Sequence, residues 1–222
     1  MRQVLVWDIA TRLFHWLLVL FVVVCFFTGE DEGLVFAIHA YAGFVVLMLL
    51  VFRAGWGFAG SRHSLFWDFV FSWPTVWRYT KSMIRFKPEH YVGHNPLGGW
   101  MVVLMLVLLA AATLSGFLLV ANGARWLEDF HEASGSLMQI LVLVHIAGVL
   151  VGQILVGEKL VQAMITGRKT LEEDAAKDER PLAGMWRALV LAVIVLIGSA
   201  YLFQQIDYSA KVSAFGSKKN DD

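Results

Sequence analysis

Hydrophobic residues run in five long blocks along this chain, and charged residues gather in the stretches between them. Each block is long enough to cross a hydrocarbon core of roughly 30 Å, which takes about 20 helical residues. Because a helix satisfies its own backbone hydrogen bonds in lipid, the blocks predict an all-α integral membrane protein. The predicted transmembrane helices cover residues 9–28, 34–54, 98–121, 130–157 and 182–203.

The composition favours the same class of protein. Of the 222 residues, 58% are hydrophobic and 16% are charged, and the mean hydropathy is +0.64, whereas a soluble domain needs more polar surface. The formal net charge is zero, which argues against a nucleic-acid partner. The first block lacks an Ala-x-Ala-like cleavage site, so we interpret it as a mature helix and not as a signal peptide.

Lysine and arginine are concentrated in alternate loops, which predicts the orientation in the membrane. The positive-inside rule assigns these loops to the cytoplasm, so we expect a cytoplasmic N-terminus. The opposite loops carry the acidic run Glu30-Asp31-Glu32, together with Glu128 and Asp129. The basic residues on the predicted inner side are Arg2, Arg12, Arg53, Arg62, Arg78, Lys81, Arg85, Lys87, Lys159, Arg168 and Lys169.

The long inner loop contains apolar and basic residues at helical spacing. They predict a basic amphipathic helix at the inner headgroup boundary, although a solvated connector with a few anchoring aromatic residues explains the pattern equally well. The apolar set after Pro74 is Val76, Trp77, Thr80, Met83 and Ile84, opposed by Arg78, Lys81 and Arg85. We divide the chain into a core of residues 1–170, a charged linker 171–181, an additional transmembrane helix 182–203 and a polar tail 204–222.

Four histidines lie inside the apolar blocks. His131 and His145 are 14 residues apart in the fourth block, so a helix brings them to within about 40° of one face, with roughly 21 Å between them along the axis. The first and second blocks contribute one histidine each, His15 and His39. Because a histidine in a bilayer is costly, such residues usually have a function.

Depth in the membrane predicts how these histidines pair. His15 lies near the inner end of the first block, and His145 lies towards the inner end of the fourth. His39 and His131 lie near the outer ends of the second and fourth blocks. We therefore predict an inner pair, His15 with His145, and an outer pair, His39 with His131. Each pair joins two different helices.

Two histidines at one depth fit a haem better than a small metal ion. Zinc or copper takes three or four protein ligands, whereas a porphyrin leaves only two axial positions for imidazoles. Gly43, Gly135 and Gly148 lie about one helical turn after a candidate ligand, where a broad ring would approach the backbone, although glycine also serves ordinary helix packing. The single cysteine, Cys25, is interpreted as a packing residue, and there is no Cys-x-x-Cys-His sequence for covalent haem.

The remaining histidines are interpreted differently. His63, His90 and His94 fall in the predicted inner loop and are expected to be surface or headgroup residues. His131 has polar neighbours, so its assignment as a ligand depends on its spacing from His145. Arg12, Arg53, Arg62 and His94 would suit haem propionates near the inner boundary, but lipid phosphate explains the basic residues equally well.

Several segments follow one another in a recognisable order along residues 4–170. They are Val6-Trp7-Asp8, Thr11-Arg12-Leu13-Phe14-His15-Trp16, His39-Ala40-Tyr41-Ala42-Gly43, the stretch 52–62, Gly93-His94-Asn95-Pro96-Leu97-Gly98-Gly99-Trp100, His131-Glu132, His145-Ile146-Ala147-Gly148 and the stretch 163–169. Together they resemble the bacterial di-haem cytochrome b(561) family, in particular the branch related to the b-type cytochrome subunit of nickel-iron hydrogenases. In that family four helices hold two non-covalent b haems, and the resemblance places His15, His39, His131 and His145 at the ligand positions. The fifth block departs from this four-helix core.

The resemblance implies transmembrane electron transfer in the bacterial inner membrane. The outer haem would exchange electrons with a periplasmic c-type cytochrome or hydrogenase-like enzyme, and the inner haem with quinone. The chain would then be an electron-transfer subunit and not a stand-alone enzyme, with quinone oxidoreductase activity and a homodimer both left open. Two alternatives remain, a membrane anchor and a histidine-based proton relay or transporter, although the core blocks have almost no acidic residues for a relay.

Overall fold

A computed structural model describes residues 2–29, 33–122, 124–171 and 183–219. Among these residues, five helices are long and apolar enough to cross a membrane, which confirms the predicted all-α membrane fold. Because hydropathy identifies only the part of a helix that crosses hydrocarbon, several helices begin or end some residues beyond their predicted bounds. The five are α1 (Ile9–Thr28), α2 (Gly33–Ala59), α5 (Pro96–Asn122), α6 (Arg125–Val156) and α8 (Met185–Ile206).

Shorter elements connect and follow these helices. The predicted helix in the inner loop is present as α4 (Trp73–Ile84), which begins one residue before Pro74. Its place at the headgroup boundary stays a prediction. Most of the linker 171–181 and the acidic run 30–32 lie outside the described residues. The shorter elements are β1 (Arg2–Leu5), a 3-10 turn (Arg62–Ser64), α3 (Phe66–Phe69), α4 (Trp73–Ile84), α7 (Leu160–Thr166), β2 (Arg168–Leu171) and α9 (Tyr208–Lys219).

The chain divides into two compact units, and each long helix contributes to both. Unit 1 comprises Met1–Leu13, Ala54–Met105 and Leu141–Ala188. Unit 2 comprises Phe14–Arg53, Leu106–Ile140 and Leu189–Asp222. Many of the large apolar side chains of α6 and α8 are exposed, as lipid-facing residues in a membrane protein are.

Unit 1 contains two short strands that were not predicted from the sequence. β1 pairs with β2 in antiparallel register, with Val4 opposite Lys169. The pairing begins directly after Gly167, whose φ of +81° ends α7 in the left-handed conformation that favours glycine. The Gly167 carbonyl accepts the N–H groups of Val6 and Trp7 at 2.8 and 3.0 Å, so the start of the chain is fixed against the end of the four-helix core.

A buried ion pair holds the loop before α5 in unit 1. Lys169, 7% exposed, lies with its Nζ 2.9 Å from a carboxylate oxygen of Glu158. The same ammonium group donates to the backbone carbonyls of Tyr91 and Gly93 at 3.3 and 3.4 Å. A buried ammonium is tolerated only when it is paired and hydrogen-bonded, and here both conditions are met.

Asp8 organises the start of α1. One carboxylate oxygen accepts the N–H of Thr11 at 2.6 Å, which is the geometry of a helix N-cap. The other oxygen accepts from Trp56 of α2 at 3.2 Å and from the hydroxyl of Ser64 at 3.0 Å. Asp8 is 4% exposed, so this carboxylate joins three separate segments of unit 1 in a water-poor setting.

Replacing Asp8 with alanine should strongly destabilise unit 1. The change removes a helix cap, worth about 1 kcal/mol, and leaves buried donors unpaired at about 1–3 kcal/mol each, so we expect about 3 kcal/mol in total. Denaturant titration followed by circular dichroism measures the loss. The matched control is Asp129→Ala, which removes an exposed carboxylate. Equal stability of the two variants would contradict the organising role of Asp8.

Candidate haem-binding sites

The two histidines of the predicted outer pair meet within unit 2. His39 lies in the second turn of α2, and His131 lies in the second turn of α6. Their ring centroids are 5.8 Å apart, and the ring planes are nearly perpendicular at 89°. Both side chains are part-buried. Two helices that are distant in sequence therefore present imidazoles to one small region.

Backbone carbonyls fix the orientation of both rings. His39 Nδ1 lies 3.1 Å from the carbonyl oxygen of Cys25 in α1, and His131 Nδ1 lies 2.8 Å from the carbonyl oxygen of Ala112 in α5. A carbonyl oxygen can only accept, so each Nδ1 carries the hydrogen in a neutral ring and each Nε2 bears the lone pair. Metal-bound histidines almost always have a partner of this kind on the second nitrogen.

The separation of the two rings fits a single iron atom between them. Metal–imidazole bonds of about 2.0 Å on opposite sides of one ion place the ring centres about 6 Å apart. The observed 5.8 Å agrees with this distance. Among the described residues, no three His, Cys, Asp or Glu side chains come together as a small metal ion would require. The donor set therefore suits a haem with two axial imidazoles.

Gly116 of α5 makes room for the His131 ring. A Cβ atom at this position would lie 2.7 Å from Cε1 and 2.9 Å from Nδ1 of His131, closer than van der Waals contact allows. The sequence alone predicts no place for Gly116 in a site. Its role depends on a side chain from another helix, which the pattern along α5 does not record.

Gly116→Ala should displace the His131 ring and weaken its bond to the Ala112 carbonyl. Loss of such an orienting contact typically lowers metal affinity by about 10–100-fold, and we expect the affinity for the outer haem to fall by a factor in this range. Haem per chain after purification, measured as pyridine haemochrome, reports the loss. Gly198→Ala is the matched control, because a Cβ there meets no atom within 4 Å. Full haem content in the Gly116 variant would contradict this role.

The three glycines predicted to face a broad ring have open space beside them. A Cβ added at Gly43, Gly135 or Gly148 would meet no heavy atom within 4 Å, so these glycines are not explained by close helix packing among the described residues. Gly43 and Gly135 follow His39 and His131 by four residues, in unit 2. Their proximity to a macrocycle stays a prediction.

The predicted inner pair is divided between the two units. His15 lies in the part of α1 that belongs to unit 2, part-buried, with its ring edge-on to Trp16 at 5.0 Å. His145 lies in the part of α6 that belongs to unit 1 and is also part-buried. Both occupy the transmembrane helices that the sequence predicted. Their pairing stays a prediction.

The other histidines have protein partners. His63 Nδ1 lies 2.8 Å from the carboxylate of Asp68. His94 packs between the rings of Trp7 and Phe69, at 4.7 and 4.8 Å, and is thus more enclosed than the expected surface position. His90 is exposed and lies 3.4 Å from Glu158.

Two charged groups, Asp68 and Arg12, lie near the predicted inner boundary. Partial burial raises the pKa of Asp68, but hydrogen bonds and charge attraction from His63 and Arg62 outweigh it, so the pKa lies below its ordinary value. Arg12 donates from Nη1 to the Ile165 carbonyl at 2.7 Å. Its buried Nε has no hydrogen-bond partner among the described residues. An anionic carboxylate placed beside it would accept this N–H.

Five apolar helices, with the rings of His39 and His131 brought together in unit 2, define a multi-pass membrane protein with a site suited to haem. The family model described as prokaryotic cytochrome b561 matches residues 6–167. The chain belongs to the prokaryotic cytochrome b561 family, which confirms the resemblance drawn from its motifs. Family membership implies haem b and a role in membrane electron transfer.

Curated relatives carry names from the predicted branch. The chain is 25% identical to a probable Ni/Fe-hydrogenase B-type cytochrome subunit of Cupriavidus necator, over 76% of this chain and 87% of the relative. It is 23% identical to a protein of the same name from Rhizobium leguminosarum bv. viciae, over 78% and 91%. A probable Ni/Fe-hydrogenase 1 B-type cytochrome subunit of Escherichia coli is 24% identical, over 81% and 87%. No solved structure matches the chain.

Proposed function

We propose that this protein carries electrons across the bacterial inner membrane through two b haems, each held by two histidines. His39 and His131 bind the outer haem, and His15 and His145 bind the inner one. The observation that carries the proposal is the outer pair: two rings 5.8 Å apart, each with Nδ1 held by a backbone carbonyl of another helix.

The inner assignment has independent support. His15 and His145 lie in transmembrane helices, where an ionisable side chain is costly without a function. Arg12 precedes His15 by three residues, and its buried Nε is suited to a haem propionate. A guanidinium in this position holds a carboxylate through charge-assisted hydrogen bonds.

Each residue has a defined part in this function. A bound b haem exchanges single electrons between its ferric and ferrous states. With an imidazole from each of two histidines, these residues would hold the group for electron transfer and not for substrate binding at iron. The Cys25 and Ala112 carbonyls increase the basicity of His39 and His131, and apolar helix surfaces limit access of water.

The partners follow from the orientation and the relatives. With a cytoplasmic N-terminus, the His39 and His131 site lies near the periplasmic side. Because the relatives are named as hydrogenase cytochrome subunits, a hydrogenase-like enzyme is the proposed partner on that side, and a c-type cytochrome is the second choice. Membrane quinone is the proposed partner of the inner haem.

The first test is spectroscopic. The purified protein should show a reduced-minus-oxidised spectrum of b-type haem with about two haems per chain. Reduction by a quinol, followed by oxidation by an added c-type cytochrome, tests transfer between the two sides in reconstituted vesicles. A colourless protein would favour the proton relay. A haem protein that neither a quinol nor a dithionite-reduced partner reduces would favour the membrane anchor.

A further inference from the structure

The polar tail folds into helix α9 and packs against the core of unit 2. Asp207, with a φ of +48°, separates α8 from α9 in the left-handed conformation, which aspartate tolerates better than most residues. Immediately after this corner, Tyr208 is 2% exposed and Val212 is 3% exposed. Side chains this deeply buried show that α9 is held in place by tertiary contacts.

One set of contacts joins α9 to α2. The Tyr208 hydroxyl donates to the carbonyl oxygen of Ala40 at 3.3 Å, and Ala40 directly follows His39. Val212 and Tyr208 also share a buried cluster with Phe36, one turn before Ala40. The first two turns of α2, which carry a proposed haem ligand, are therefore in direct contact with α9.

A second set of contacts joins α9 to α5. The Tyr208 ring stacks on Phe117, with centroids 5.3 Å apart and planes at 20°. Lys211 Nζ donates to the carbonyl oxygen of Ala121 at 2.6 Å. Ala121 lies in the last turn of α5, where carbonyls lack helical partners and the helix dipole favours a cation. Phe117 directly follows Gly116, which makes room for the His131 ring.

We infer that Tyr208 and Lys211 form a clamp that fixes α2 against α5 and thereby sets the separation and orientation of His39 and His131. α2 carries one ring, and α5 holds the other through the Ala112 carbonyl and the space at Gly116. Both residues of the clamp lie outside the matched family region of residues 6–167. They are positioning residues, and their effect on a haem rests on the proposed function.

The test removes the two polar contacts of the clamp from the full-length protein and keeps most of its packing. Tyr208→Phe deletes the hydroxyl and retains the stacked ring, and Lys211→Met deletes the ammonium group and retains an apolar stem. The matched control, Tyr201→Phe, deletes a hydroxyl from a ring that is 64% exposed on α8. The outer-haem signal is defined as the component that His39→Ala removes.

Two readouts do not depend on electron-transfer activity. The EPR signal of a ferric haem with two imidazoles depends on the angle between the ring planes. The double variant, which combines Tyr208→Phe with Lys211→Met, should therefore show an altered outer signal and an unchanged inner one. Transfer of the outer haem to apomyoglobin should become about tenfold faster, at the lower end of the effect of losing an orienting contact. The inner signal also shows whether the variant is folded.

The outcomes separate the clamp from the proposed function. An altered outer signal in the double variant, with the Tyr201→Phe protein like the unmodified one, supports the clamp. Unchanged EPR and haem transfer in the double variant would overturn the clamp alone. An unmodified protein without a haem at His39 and His131 would contradict the proposed function and remove the clamp with it.

Discussion

The His39→Ala protein is expected to retain about one haem per chain, against about two in the unmodified protein. The substitution removes one of the two imidazoles that would hold this haem and leaves that of His131. The removed ring is also a well-oriented one, since His39 Nδ1 lies 3.1 Å from the Cys25 carbonyl oxygen. Pyridine haemochrome with protein quantification measures the stoichiometry.

A histidine outside the proposed sites provides the control. His90 is exposed, so His90→Ala should keep the full haem content and the spectrum of the unmodified protein. The His131→Ala protein should lose the same spectral component as His39→Ala, because the two residues are assigned to one iron. Two full haems in the His39→Ala protein would refute the outer site.

The transmembrane helices could be predicted because the signal for them is local. A run of about 20 apolar residues can satisfy its backbone in lipid only as a helix, whatever the rest of the chain does. The same reasoning finds α4, because its spacing of apolar residues is helical over three turns. These elements follow from contiguous residues.

The strands and α9 could not be predicted, because distant contacts stabilise them. β1 and β2 have four residues each and lie far apart in the chain, so neither has a pattern of its own. The polar sequence of α9 also gives little reason to expect burial. It is held through Tyr208 and Lys211, whose partners are Ala40, Phe117 and Ala121 on two other helices.

The candidate ligands of the site could be predicted from the sequence, but the groups that orient them could not. Histidine is rare and costly in lipid, so His39 stands out in sequence, and His131 follows from its spacing of 14 residues from His145. The structure brings their ring centroids to 5.8 Å. Two backbone carbonyls orient these rings, and the absence of a Cβ at Gly116 leaves space for the ring of His131. Carbonyls belong to every residue, and glycine is common in membrane helices, so neither gives a signal along the chain.

The His145→Ala protein is expected to lose the inner haem and to keep the outer one. Both proposed haem sites include a histidine of α6, but the two histidines are 14 residues apart, roughly 21 Å along the helix. Removing one imidazole should therefore leave the site of the other intact. The spectrum should keep the component that His39→Ala removes, and vesicles should lose quinol-driven reduction of an external c-type cytochrome.

A comparison of all four ligand variants tests the pairing itself. If His15 and His145 bind one iron, the spectrum of His15→Ala should match that of His145→Ala and differ from that of His39→Ala. The opposite pairing, His15 with His131 and His39 with His145, predicts instead that the spectrum of His15→Ala matches that of His131→Ala. The two predictions differ because each haem has its own environment and therefore its own absorption and midpoint potential. A match of His15→Ala with His131→Ala would refute the depth-based pairing, even with both haems present in the unmodified protein.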